Sequence, residues 1–144
     1  MKQIPSIKAV MTPFPYSVDV NASIEEAREF MRLRKIRHLP VTEGQKLVGV
    51  LTDRDIKLYL GPDFDYPSQT EATVKDVFME NPYIVDLNER LDRVLKNMAD
   101  RHIGSVLVTR NGKLAGVFTS TDACKSFADY LIDNFKPPGG NEAA

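Results

Sequence analysis

The sequence predicts an α+β fold made of two β-α-β-β-α repeats related by a pseudo-two-fold axis. Three observations carry that expectation. The chain matches itself without a gap when slid by 67 positions. Each copy runs through the same order of apolar patterns and turn signals. One copy alone is too short to bury both faces of its own sheet, so the two are expected to pack sheet against sheet around one shared core, with a cleft at the seam.

The self-match is dense. Gly49 falls on Gly116, Thr52 on Thr119 and Asp55 on Asp122. Val41-Thr42 and Lys46-Leu47 fall on Val108-Thr109 and Lys113-Leu114. Pro15, Tyr16, Val18, Asp19 and Asn21 fall on Pro82, Tyr83, Val85, Asp86 and Asn88, and Met31, Arg34 and Ile36 on Met98, Arg101 and Ile103.

Each copy opens with a short β-prone run after a proline, Tyr16–Val20 and Tyr83–Leu87. Ser23 then starts a helix, with Glu26 three residues on to complete a capping box. In the second copy Asn88 is the expected N-cap, and Leu91, Val94, Leu95 and Met98 make one apolar stripe. Two apolar runs follow, Leu39–Thr42 and Leu47–Leu51, split by a Glu43-Gly44 turn. Their counterparts, Val106–Thr109 and Leu114–Phe118, are split by Asn111-Gly112, a hairpin signal. A last helix begins near Thr52 or Thr119. Gly61–Ala72 reads as a polar, proline-containing linker, and Lys136–Ala144 as a tail unable to build structure of its own.

Composition narrows the function. Lys and Arg number 19 against 20 Asp and Glu, a net charge of -1, so no basic face for nucleic acid is expected. The most charged stretch, Arg28–Arg37, reads as a solvated helix face. No run reaches membrane-spanning length and the first ten residues lack an apolar signal core, which predicts no membrane association and a cytoplasmic protein. The single cysteine, Cys124, excludes an internal disulfide and is expected as a small core residue of the last helix. Met31 and Met98 are expected in the core. Two histidines and one cysteine leave no metal-ligand cluster. No nucleophile–base–orienter set, catalytic carboxylate pair or P-loop is present, so no enzyme activity is expected.

The phrases VMTPFPYSVDVNASIEEA, RKIRHLPV and GVLTDRDI in the first copy resemble a CBS domain, as do VFMENPYIVDLNERLDRV, RHIGSVLV and GVFTSTDA in the second. The resemblance covers roughly residues 5–133, and two such units in tandem resemble a Bateman module. It implies CBS domain 1 at 5–60, a linker at 61–72, CBS domain 2 at 73–133 and a C-terminal tail at 134–144. It also implies a regulatory ligand between the repeats: an adenine nucleotide (AMP, ADP or ATP) or S-adenosylmethionine. A homodimer of modules, forming a flat disc of four repeats, is implied too. Nothing else is attached here, so the regulated protein is expected to be a separate chain.

The informative element is Gly-apolar-apolar-Thr-x-x-Asp, at Gly49–Asp55 and again at Gly116–Asp122. A strand ends here and a helix begins, and free N–H groups at a helix start favour phosphate. Thr52 and Thr119 add hydroxyls. Asp55 and Asp122 carry acceptor oxygens suited to the two hydroxyls of a ribose. A plainer reading stays open beside this one: each Thr is an N-cap and each Asp complements the helix dipole.

By the family's geometry the Asp122 site, the favoured one, draws on Ser6, Met11, Arg37, His38 and Pro40 from the first repeat. The Asp55 site draws on Thr73, Phe78, Gly104 and Ser105 from the second. Phe78 either stacks on adenine or fills its pocket. Arg54 and Thr121 stand next to the Asp residues at equivalent positions, within reach of phosphate. Gly104-Ser105 in place of Arg37-His38 makes the two sites unequal. The competing expectation is a ligand-free adaptor that only dimerises.

Overall fold

The computed structural model describes residues 2–13, 16–61 and 71–139. The repeated Pro15, linker residues 62–70 and tail residues 140–144 lie outside the described residues. The first repeat contains β1 (Thr12–Pro13), β2 (Val18–Asp19), α1 (Ile24–Arg34), β3 (His38–Glu43), β4 (Lys46–Thr52) and α2 (Asp53–Leu60). The second contains β5 (Met79–Glu80), β6 (Ile84–Asp86), α3 (Leu91–Arg101), β7 (Ser105–Arg110), β8 (Lys113–Thr119) and α4 (Ser120–Asn134). The expected β-α-β-β-α order is present twice, and β1 and β5 are additional to it.

Those extra strands are exchanged. One sheet runs β2-β3-β4-β5 and the other β1-β8-β7-β6, so each repeat lends its leading strand to the other. Thr12 pairs with Val117 and Glu80 with Gly49, both antiparallel. Within each repeat the crossover through α1 or α3 joins parallel strands: β2 lies beside β3 and β6 beside β7.

The leading strands of the sequence reading shrink to Val18–Asp19 and Ile84–Asp86. The tyrosines that begin them have another role. The Arg34 guanidinium lies 4.7 Å from the Tyr16 ring centre and that of Arg101 4.8 Å from Tyr83, which accounts for the matched Arg pair. Asn88 is not an N-cap. Its N–H donates to Asp86 Oδ2 at 2.9 Å, as that of Asn21 donates to Asp19 Oδ1 at 2.9 Å, so each Asp-x-Asn forms a turn before the helix. Arg90 is the N-cap of α3 and makes no side-chain cap; the Leu91 N–H donates instead to Pro5 O at 2.9 Å. Ser23 caps α1 as expected, its Oγ accepting from the Glu26 N–H at 3.0 Å while Glu26 reaches back.

In the β3–β4 turn Gly44 has φ +63°, and in the β7–β8 turn Asn111 and Gly112 have φ +53° and +79°. The second is the pattern of a two-residue hairpin with both central residues left-handed.

Two hydrophobic clusters replace the single shared core that was expected. One gathers Ile24, Ala27, Met31, Leu39, Val41, Leu51 and Ile56 with Val74 of the exchanged segment. The other gathers Val94, Met98, Val106, Val108 and Phe118 with Ile7. Both methionines are core residues. Val94 and Met98 carry the α3 stripe, while Leu95 is partly exposed. Strand alternation puts Pro40 and Val50 on the face away from the first cluster. They pair in register, as Leu107 and Val117 do in the other sheet, and all but Val117 are buried.

Cys124 is exposed, which corrects its expected core position. The repeat explains this: buried Ile56 corresponds to Ala123, and Cys124 to exposed Lys57. Among the described residues no helix is long and apolar enough to cross a membrane.

Candidate functional site

β4 and β8 each end in a threonine that caps the following helix. The Asp55 N–H donates to Thr52 Oγ1 at 3.0 Å, and that of Asp122 to Thr119 Oγ1 at 3.4 Å. The capping reading is therefore realised at both helix starts. The carboxylates then diverge. Asp122 Oδ2 accepts from the Thr119 N–H at 3.0 Å and from its hydroxyl at 3.3 Å, closing a capping box. Asp55 closes no such box, and its Oδ2 is buried without a hydrogen-bond partner. A buried acceptor left unsatisfied is costly, and more so when charged. The less engaged carboxylate belongs to Asp55, not to the favoured Asp122.

The strand exchange brings the expected partners to these strands. A Cβ on Gly116 would stand 2.5 Å from Met11 Sδ, and one on Gly49 would stand 2.5 Å from the Phe78 ring. Met11 thus lies on the strand leading to Asp122, and Phe78 on the strand leading to Asp55. Phe78 also packs on the first cluster. Ser6 bridges to Arg90 and Thr73 to Ser23, each crossing between repeats. Thr73 caps its own turn through Asp76, with its N–H 2.9 Å from Asp76 Oδ2.

His38 pairs in register with Thr52, and Ser105 with Thr119, so both stand at helix starts. The His38 imidazole crosses the seam. Its Nε2 lies 3.5 Å from the point a Cβ on Gly104 would occupy, and Ser120 Oγ lies 3.6 Å from the same point. Burial holds this imidazole below the ordinary histidine value; attraction to Asp55 opposes that, and Arg37 reinforces it. No local pattern shows that His38 and Ser120 converge on one glycine, although the exchange of Arg37 for Gly104 is visible in the repeat.

Other expected residues sit apart. Pro40 is buried in the sheet, and Arg54 and Thr121 are exposed. Arg37 is exposed, accepts the Asp53 N–H on its carbonyl at 3.0 Å, and lines a groove between α1 and α2. Gly104 O takes the Ser120 N–H at 3.0 Å in the matching way. A cavity of about 690 Å³ opens at the hairpin end of the first sheet, between Lys46, Lys75 and Pro82; of the expected site residues it includes Phe78 alone. Among the described residues no group of three or more His, Cys, Asp and Glu is placed to hold a metal ion.

Two exchanged four-stranded sheets, each with a Thr-capped helix at its seam, define a paired-repeat architecture. The CBS domain family model matches this chain twice, over residues 7–61 and 74–129, and the chain belongs to that family. It is similar to the uncharacterized protein YlbB of Bacillus subtilis, 33% identical over 118 residues, 81% of this chain and 78% of YlbB. Zinc metalloprotease MJ0392 of Methanocaldococcus jannaschii is 33% identical over 121 residues, 84% of this chain but only 32% of the metalloprotease. The crystal structure of the CBS domain pair of protein MJ0100, in complex with 5′-methylthioadenosine and S-adenosyl-L-methionine, superposes with a TM-score of 0.77 at 28% identity. That match covers 89% of this chain and 99% of the other.

Proposed function

We propose that this chain is a regulatory module that binds an adenosine-bearing ligand at the seam: AMP, ADP, ATP or S-adenosylmethionine. The ribose hydroxyls donate to Asp55 or Asp122, and phosphates or another 5′ substituent lie toward Thr52 or Thr119 and the helix start. The single observation behind this reading is the Asp55 carboxylate, which has a buried oxygen without a donor at the end of a strand covered by the other repeat. The MJ0100 domain pair, with its two adenosine-bearing ligands, supports the choice of ligand class.

Ser6, Met11, Arg37, His38 and Pro40 are assigned to the Asp122 site with Thr121. Thr73, Phe78, Gly104 and Ser105 are assigned to the Asp55 site with Arg54. The signal passes to a separate protein in the cytoplasm through a change in how repeats or dimer halves pack, which requires the ligand to bind the two arrangements unequally. No catalytic step is assigned to the module. The working unit is a homodimer.

Equilibrium dialysis against AMP, ADP, ATP, S-adenosylmethionine and 5′-methylthioadenosine tests the reading. At least one should bind wild type and bind the Asp55→Ala/Asp122→Ala variant more weakly. A well-folded protein that binds none of the five would leave the ligand-free adaptor as the better description.

A further inference from the structure

The stretch Arg28–Arg37, which reads in sequence as a solvated helix face, keeps Arg32, Arg34, Lys35 and Arg37 exposed and borders a groove shared with α2. Arg28, Arg32, Lys35, Arg37 and Lys57 line one groove of about 500 Å³, with Asp53 as its single carboxylate among the described residues. Among the described residues five cations and one anion line it, in a molecule whose whole formal charge is -1. Carboxylates already stand against some of these cations. Lys57 Nζ lies 3.0 Å from Asp53 Oδ2, and Arg32 Nη2 lies 2.6 Å from Glu29 Oε2. Met31 and Ile36 form the apolar floor.

The second repeat serves as an internal control. At positions 67 further on, the five cations become Leu95, Ala99, His102, Gly104 and Cys124, and Asp53 becomes Ser120. The floor is kept as Met98 and Ile103. α3, β7 and α4 nevertheless hold the same arrangement, and His102 ends α3 at φ +54° as Lys35 ends α1 at +56°. The fold therefore requires none of these charges. Like charges crowded around a cavity repel one another, and a bound anion relieves that repulsion.

We propose that the α1–α2 groove of the first repeat is an anion site for a compact polyphosphate group. Its volume is that of a small-molecule pocket, and its cations approach from two helices and a loop rather than along a line. That geometry suits clustered phosphates better than an extended strand of nucleic acid. Arginine forks and lysine ammonium groups supply the charge-assisted bonds.

Calorimetric titration with sodium tripolyphosphate tests this on the full chain. Wild type should bind, with affinity falling as salt rises from about 50 to about 200 mM. Replacing groove residues by their second-repeat counterparts, R28L/R32A/K35H, should weaken binding about tenfold or more, the loss of at least one charge-assisted contact. The milder R32A/K35H variant carries the test if the threefold variant does not fold. Both variants spare every residue assigned to the seam sites, so their weaker tripolyphosphate binding separates this groove from the seam. Absence of wild-type binding below about millimolar concentration, or unchanged binding by the groove variants, would each overturn the proposal. Tighter binding of a single-stranded RNA oligomer through the same residues would overturn it too.

Discussion

Asp55 and Asp122 hold equivalent places on matched helices, yet only Asp122 turns its carboxylate back onto the capping threonine, with Oδ2 3.0 Å from the Thr119 N–H. The two substitutions should therefore behave differently. Asp122→Ala opens a capping box and should cost about 1 kcal/mol of stability. Asp55→Ala removes a buried oxygen that has no donor, so its stability cost should be smaller. In ligand affinity the order reverses: Asp55→Ala should lose about one to two decades, the range for hydrogen bonds to a charged group. Urea denaturation and dialysis on both variants check this. Equal stability losses with unchanged affinity would reduce both residues to helix caps.

Glycine substitutions should sort by what surrounds them. A Cβ at Gly116 would stand 2.5 Å from Met11 Sδ and 2.8 Å from Thr12 O, and one at Gly49 would collide with the Phe78 ring and Met79 O. Both Gly→Ala changes press on the exchanged strand and should cost about 1–3 kcal/mol, the range for overpacking. At Gly104 the nearest atom would be 3.5 Å away, an ordinary contact, so Gly104→Ala should be nearly neutral for stability. Melting temperatures for the three variants decide the matter. A Gly49→Ala protein as stable as wild type would mean that β5 is not seated on β4.

The repeat, the Thr-capped helix starts and the methionines in the core were legible because each depends on local pattern or on comparing one half of the chain with the other. The strand exchange was not legible from pattern. Thr12-Pro13 and Met79-Glu80 are two-residue strands with no period of their own, and their pairing is decided by two glycines far away in sequence. Asn88 misled because asparagine serves turns and caps equally well, and Asp86 captured its N–H. Cys124 misled because a helix of this amphipathic kind has one inward position per turn, and Ala123 fills it. The unequal engagement of Asp55 and Asp122 lies in side-chain geometry that identical Thr-x-x-Asp spacings do not reveal.

His38 gives the fold a pH dependence whose direction is determined. Burial lowers its folded-state value below the ordinary 6.5, so the unfolded chain takes up a proton before the native protein does. Its contribution is fully present above about pH 6.5 and is lost as pH falls toward the folded value. His38→Gln should flatten the decline in melting temperature between about pH 7.5 and 5.5, leaving the carboxylate-driven loss at lower pH. Because Gly104 and Ser120 lie across from the imidazole, the same titration should weaken contact between the repeats. Identical pH profiles for wild type and His38→Gln would remove histidine burial as a factor.

The homodimer can be tested on α4. This helix of 15 residues has none buried, and Phe127, Tyr130, Leu131, Ile132 and Phe135 are all exposed near its end. Their rings already associate: Phe127 and Tyr130 stack at 6.3 Å, and Phe135 meets Tyr130 edge-on at 6.2 Å. Large apolar side chains left exposed together in this way mark a surface that association covers. Sedimentation at about 50 µM should show a dimer for wild type, within reach of micromolar association. Phe127→Glu/Ile132→Glu should be monomeric, because a carboxylate brought to the centre of that patch loses water without gaining a partner. The variant should keep its far-ultraviolet circular dichroism, since neither residue belongs to a core cluster. Wild type running as a monomer would remove the dimer from the proposed function, and a variant that still dimerises would move the interface away from the end of α4.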